Sequence, residues 1–285
     1  MIDLHVHSTM SDGTFSPTQL AELAKKTPLE AFALTDHDTI CGTDEARTAA
    51  LKCGVEFING MEMSLDYDNH QIHVVALGFD ADSPAFKELY AAIRRTKEKS
   101  IANVIDYMAG KGVDISAEKV QPYVRGTGMD RYAILRYLVN NKSAVGDIQY
   151  LWDNYIDPAF KNLGLNKNIA AEQAFAAIKE AGGVTSLAHF HKRIGFLGFN
   201  RQEQEHHISY LHQMGMNGME KYYPSYTEDD KAFAAYMIDK YDMMPTGGTD
   251  FHGLNRPSVS LGTGTNNNMN VPYEFYLNIC RIIGR

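Results

Sequence analysis

Two rhythms of apolar and polar positions share the chain. Over its first eighty residues, short runs such as Met1–Leu4, Leu29–Thr35 (LEAFALT), Val55–Ile58 and Gln71–Gly78 (QIHVVALG) are apolar enough for buried strands. Between them, Thr18–Lys26 and Thr43–Lys52 carry apolar residues at helical spacing. Ser16-Pro17 supplies an N-cap and a first-turn proline for one helix, and Gly54 stands where the other needs a C-cap. From about Asp82 the texture changes. Pro84–Gly112 reads as one long helix with Leu89, Ile93, Ile101, Val104, Ile105 and Met108 at core spacing. Its Arg94, Arg95, Lys97 and Lys99 are expected on a solvated face. Met129–Asn140 and an acidic, aromatic stretch around Asp147–Tyr155 continue in helical style. The first rhythm then returns, with helices over Ala170–Ala181, Arg201–Met214 and Asp229–Tyr241 alternating with strands over Val184–Ala188, Asn217–Lys221 and Met243–Pro245.

Strand alternating with helix predicts an α/β barrel or a doubly wound sheet, interrupted by a helical insertion. The boundaries read as 1–81 for the first part of the α/β domain, 82–168 for the insertion and 169–285 for the second part. In such folds chemistry gathers at the C-terminal ends of the strands, and polar residues gather there in this chain. His5 and His7 lie two apart, so on a strand both rings point to one side, and Asp12 follows in a Ser-Asp-Gly turn. The LEAFALT strand ends in Asp36-His37-Asp38, and the next runs into Gly60-Met61-Glu62. His73 lies in QIHVVALG, His189 ends the strand Val184–Ala188, and Met243–Pro245 leads to Asp250 and His252.

His5, His7, Asp12, His37, Glu62, His73, His189, Asp250 and His252 together make six imidazoles and three carboxylates, a donor set suited to Mn²⁺, Fe²⁺ or Zn²⁺. The lack of thiolate donors argues against a structural zinc site. Nine donors exceed the need of one ion and a carboxylate can bridge, which implies two or three ions. Clustered ions of this kind serve phosphoryl transfer and generate hydroxide near neutral pH. His206, His207 and His212, in or near a polar helix, and His70, in a polar turn, are read as surface groups, and Cys41 and Cys53 as structural.

Composition narrows the class further. With 285 residues, 44% hydrophobic and 22% charged, the chain suits a soluble globular protein with one large core and an appendage. A net charge of −8 disfavours a long nucleic-acid track. Three widely spaced cysteines form no disulfide or zinc pattern, so a cytoplasmic setting is expected. No signal peptide is expected ahead of the first motif, and no apolar run in the sequence reaches membrane-spanning length. No obligate protein partner is evident.

The ordered motifs DLHVHS, TDHD and GTDFH, with a Gly-x-Glu, a strand histidine and an Ala-His between them, resemble the polymerase and histidinol phosphatase (PHP) family over nearly the whole chain. That resemblance implies a distorted (β/α)7 TIM-like barrel with its metal cluster at the strands' C-terminal mouth and a small inserted helical domain acting as a substrate cap. By the family pattern, His5, His7, Glu62 and Asp250 hold one ion. Glu62, His73 and His189 hold a second through a bridging Glu62, and Asp12, His37 and His252 a third. FINGMEMS, QIHVVALGFD and AGGVTSLAHF look most like stand-alone 3′,5′-nucleotide bisphosphate phosphatases and the related RNA 5′-end exonucleases. Phe190 stands where proline is usual. Arg131-Tyr-Ala-Ile-Leu-Arg136 keeps both arginines of an Arg-Pro-His-x-x-Arg segment while replacing its proline and histidine. Tyr226 follows Ser225 where a Pro-Ser-His-Thr loop has histidine.

The activity so implied is hydrolysis of a small nucleotide phosphomonoester by metal-bound hydroxide. Arg131, Arg136, Lys192, Arg193 and Ser225 are candidates to hold phosphate, because guanidinium forks match its geometry. Asp36 is a candidate to orient an imidazole, and His191 to serve the leaving group. Four alternatives stay open: trimming of short 5′-phosphorylated RNA, hydrolysis of histidinol phosphate, hydrolysis of a non-phosphate substrate at the same cluster, and a non-catalytic metal-binding module.

Overall fold

A computed structural model describes residues 1–125, 128–141, 148–163 and 167–285, with the backbone alone at 99 and 100. The Lys99 side chain and Asp147, both part of the expected helical stretch, lie outside the described residues. The chain forms two compact units, Met1–Leu89 with Ile169–Arg285, and Tyr90–Asn168.

In the first unit, β1 (Ile2–Asp3), α1 (Pro17–Lys26), β2 (Ala31–Leu34), α2 (Thr43–Cys53), β3 (Glu56–Tyr67) and β4 (His70–Leu77) precede α3 (Pro84–Gly110), which continues into the second. That second unit carries the short helices α4 (Ala117–Val120), α5 (Arg131–Asn141), α6 (Ile148–Leu151) and α7 (Asp157–Asn162). The first unit resumes with β5 (Ile169–Ala170), α8 (Ala171–Glu180), β6 (Val184–Leu187), α9 (Arg201–Gln213), β7 (Gly218–Tyr222), α10 (Glu228–Tyr241), β8 (Met244–Gly247) and α11 (Tyr273–Ile282). The helix ends follow the local sequence. Ser16 and Gln19 form a capping box at α1, and Gly54, at φ 69°, turns its N–H back onto the last carbonyls of α2.

Strand order is β1-β2-β3-β4-β6-β7-β8, with β5 added beside β3. The chain beyond β1 then meets β8: Leu4 N–H donates to the Gly247 carbonyl at 3.1 Å and His7 N–H to that of Phe251 at 2.9 Å. These bonds close a ring of seven strands, a distorted α/β barrel. Ile58 and Glu62 share one face of β3, as Val75, Leu77 and His73 share one face of β4. Ile58, Val75 and Leu77 belong to an apolar cluster with Ile2, Leu4, Val184, Met244 and, from α11, Tyr276 and Ile279. The ring is therefore filled by apolar side chains at one level and by the polar cluster at another.

The distortion lies at β3 and β4. The strand expected over Val55–Ile58 runs through Tyr67, so Glu62 is in mid-strand rather than beyond its end. Asp68 and Asn69, at φ 44° and 61°, make the tight two-residue turn that joins twisted antiparallel strands. Accordingly β4 runs antiparallel to both β3 and β6, and His73 lies near its beginning. That beginning lies level with the C-terminal ends of the parallel strands, which is why a reversed strand still delivers its histidine to the same mouth.

The second unit has its own core, built from Ile101, Val104, Ile105 and Met108 of α3, Ile134, Leu135 and Leu138 of α5, and Ile156 and Phe160. The expected solvated face of α3 needs correction here. Arg94 and Lys97 are buried; Arg94 donates to the Gly128 carbonyl at 3.1 Å and stands 3.5 Å from Asp130, while Lys97 donates to Asn168 at 3.0 Å. Long basic stems can lie along apolar surface while their charged ends find partners, so spacing alone did not place them.

Candidate metal centre

Glu62 is the hub. Its Oε1 lies 2.9 Å from His73 Nδ1 and 2.9 Å from His189 Nε2. Its Oε2 lies 3.2 Å from His5 Nε2, 3.2 Å from His7 Nε2 and 3.0 Å from His37 Nδ1. Asp250 Oδ1 faces the same rings, 3.2 Å from His7 and 3.6 Å from His5. Asp12 Oδ1 stands 3.2 Å from His252 Nε2, whose Nδ1 is 2.8 Å from the Asp250 carbonyl. The nine expected donors are thus brought together at one mouth of the ring.

Among the described residues, three groups have donor atoms close enough to share an ion: His5, His7, Glu62 and Asp250; His7, Asp12, His37 and His252; and His37, Glu62 and His73. The donor chemistry fits divalent ions. Among the described residues, Nε2 of His5 and His7, Nδ1 of His73 and Oε2 of Glu62 are buried and close to opposite charge, yet none is aligned in a hydrogen bond. Buried polar atoms left this way are costly unless something satisfies them. Charge tells the same story. Burial would raise Glu62, but the imidazoles of His37, His73 and His5 hold it well below the usual carboxylate range. Burial would lower His7, yet Asp250 and Glu62 push it up to about 10. His189, where burial prevails, falls to about 3 and stays neutral. A cation would replace the protons that the carboxylates draw onto these rings.

The backbone here is strained where side chains must turn inward. Asp38, His189 and Asp250 all sit at positive φ, at 53°, 27° and 52°. Buried carboxylates brace the strand ends. Asp36 accepts from Ser8 N–H at 2.8 Å, Ser8 Oγ at 2.6 Å and Ser11 Oγ at 2.6 Å, which pins the loop that carries Asp12. It acts on the loop rather than directly on an imidazole. Asp38 likewise accepts from Ser64 N–H and Oγ, both at 2.9 Å.

Outside the cluster, Asp250 Oδ2 accepts from Tyr223 Oη at 2.6 Å and Arg256 Nη1 at 2.6 Å, with Lys192 Nζ 3.8 Å away. Lys192 also bonds Tyr223 Oη. His191 Nε2 and Ser225 Oγ are 2.9 Å apart, and the His191 ring packs on Tyr226 at 4.9 Å. Tyr226 is buried, donates to the Glu220 carbonyl at 3.3 Å and meets Phe190 at 5.1 Å, so two of the departures from the family pattern pack against each other. Arg193 is exposed. In the helical unit, the Arg131 guanidinium stacks 5.0 Å over Phe160, and Arg136 Nε donates to the Tyr123 carbonyl at 2.9 Å.

Two histidines set aside as surface groups are more engaged than expected. His207 Nδ1 lies 3.2 Å from Tyr67 Oη, and His212 Nδ1 lies 2.7 Å from the Met216 carbonyl. Sequence reading missed Glu220, Tyr223 and Arg256. Glu220 was visible only as a carboxylate in the strand Asn217–Lys221, and Arg256 carried no signal beyond following the GTDFHG segment.

The sequence matches the PHP domain family over residues 3–237. It is 32% identical over 258 residues to a 5′-3′ exoribonuclease of Haemophilus influenzae, covering 88% of this chain and 89% of that protein. It is 29% identical over 262 residues to a 3′,5′-nucleoside bisphosphate phosphatase of Chromobacterium violaceum, covering 92% and 90%. A solved structure from Bifidobacterium adolescentis shares the fold, with a TM-score of 0.84 at 23% identity over 100% of this chain and 98% of that one. From this extent of match, together with the motif order and the seven-stranded ring, the chain belongs to the PHP domain family.

Proposed function

We propose that this PHP phosphoesterase removes phosphate from a small nucleotide, with a 3′,5′-bisphosphonucleotide as the leading substrate. The observation that carries the reading is the gathering of nine donor side chains, five of them imidazoles meeting Glu62, with Lys192 and Arg256 on Asp250 and a His191–Ser225 pair nearby. His5, His7, Glu62 and Asp250 would hold one ion, Glu62, His73 and His189 a second, and Asp12, His37 and His252 a third, the ions being Mn²⁺, Fe²⁺ or Zn²⁺. Such ions supply Lewis-acid charge and an activated water.

The chain's own groups do the rest. Lys192, with Arg193 and Ser225, binds phosphoryl oxygens, and Arg131 and Arg136 are proposed to bind phosphate from the helical unit. His191, which pairs with Ser225, would pass a proton to the leaving oxygen. Asp36 positions the Asp12 loop. A cytoplasmic setting accords with a small phosphorylated substrate. A second reading, trimming of short 5′-phosphorylated RNA, is favoured by the likeness to the Haemophilus exoribonuclease.

The test is phosphate release by protein loaded separately with Mn²⁺ and Zn²⁺. The substrates are a 3′,5′-bisphosphonucleotide, 5′-AMP, histidinol phosphate and a 5′-phosphorylated RNA oligomer, with Asp250→Ala as control. Turnover of the bisphosphonucleotide above the others, lost in the control, is expected. Preference for the oligomer or for histidinol phosphate overturns the substrate. Inactivity on all four with metal bound overturns the reaction and favours a non-catalytic module.

A further inference from the structure

Glu220 holds no place in the ligand set, yet it is one of the most deeply buried carboxylates in the chain, 1% exposed. It comes from β7, between β6 and β8 in the ring. Each of its oxygens has a separate task. Oε1 lies 2.7 Å from His5 Nδ1, and Oε2 accepts the backbone N–H of His189 at 2.6 Å. A carboxylate has only acceptors to offer, so the His5 ring must carry its proton on Nδ1. When a cation displaces any second proton and the ring is neutral, Nε2, the nitrogen facing Glu62 and Asp250, is then the lone-pair donor. The second bond anchors His189 at φ 27°, a backbone conformation disfavoured for a residue with a side chain.

We propose that Glu220 is a positioning residue that presets two metal-binding histidines at once, fixing the tautomer and orientation of His5 and the backbone of His189. This inference rests on the metal-centre reading above. A carboxylate behind a ligating imidazole raises ligand basicity and holds the ring, and losing such a partner costs about 10–100-fold in metal affinity. Glutamine is the informative replacement. Its single carbonyl oxygen can accept from one of the two donors, while its amide nitrogen must face the other.

The experiment is Co²⁺ titration of metal-stripped protein followed by visible d–d absorption. The wild type is compared with Glu220→Gln and Glu220→Asp, alone and with His5→Ala, and circular dichroism checks the fold of each stripped variant. Weakening of Co²⁺ binding by about 10–100-fold in Glu220→Gln is expected, together with a changed absorption envelope. The same substitution should cost clearly less in the His5→Ala background, because part of its effect passes through that ring. Wild-type affinity and spectrum in a folded Glu220→Gln protein would overturn the proposal, as would an equal loss with and without His5. If Glu220→Gln does not fold, Glu220→Asp decides by the same two readouts. A wild type that takes up no Co²⁺ is a different result, because it removes the metal centre itself.

Discussion

Gly248 shows how little freedom single positions have around this site. A β-carbon built there would collide with the Cβ and backbone nitrogen of His5, so the segments just beyond β1 and β8 approach this closely only because no side chain intervenes. Gly248→Ala should push His5 away from Glu62. We expect a loss of about 1–3 kcal/mol in urea unfolding, the usual cost of overpacking, and weaker Co²⁺ uptake. Unchanged stability and uptake would mean that the His5 strand yields freely. The nine donor residues were legible because their chemistry is distinctive and most sit just beyond a strand, although Glu62 and His73 lie within strands. Glu220 and Arg256 were not, because their roles lie in which atom they face. Glu220 works through His5 and His189, which are far from it in sequence, and Arg256 through the outer oxygen of Asp250.

At the scale of elements, α9 and α10 are joined through the start of α10. Thr227 accepts from Asp230 N–H, Asp230 reaches back to the Thr227 backbone, and Arg201 of α9 donates to Asp230 at 2.7 Å and Asp229 at 2.6 Å. Removing the cap by Thr227→Ala should cost about 1 kcal/mol, read by urea unfolding. Burial would raise Asp230, but bonds from Arg201 and Thr227 keep it below the usual carboxylate range. Its folded value lies below its unfolded one, near 3.9. The stabilisation is therefore fully present above about pH 4 and fades as pH falls through the lowered value. Asp230→Asn should lose stability at pH 7, and the gap to wild type should narrow on acidification. A gap constant from pH 7 to pH 3 would exclude this ionisation as the source. The helix itself was foreseen over Asp229–Tyr241, but its Thr227 cap was not. The β3–β4 hairpin was harder, because Gly60 interrupts the apolar run locally while long-range pairing with β4 carries the strand on to Tyr67. The basic positions of α3 misled for a related reason: periodicity places a side chain on a face but does not say what covers that face.

For the molecule as a whole, the barrel mouth gathers Asp12, Glu62 and Asp250 at a point where the protein, net charge −8, has no excess of positive charge to spend. Protons on His5 and His7 offset these carboxylates when no cation does, since Glu62 and Asp250 hold both rings above their ordinary values. A bound cation must expel such protons, so metal binding and pH are linked. Ligands that bind only the folded state stabilise it by mass action, about 2.7 kcal/mol for one ion at a hundred times its dissociation constant. In a barrel of this size that is a rise in Tm of roughly 5–10 °C. We expect chelation to lower Tm by at least this much and Mn²⁺ or Zn²⁺ to restore it. The sign with pH follows from proton competition: the gain on adding metal should grow from pH 6 to pH 8, and a weakly buffered sample should acidify as metal binds. Equal melting with and without metal at both pH values would show that the nine donors do not act as one cation centre. A gain independent of pH, with no acidification, would instead show that the rings facing Glu62 and Asp250 are already neutral before metal arrives.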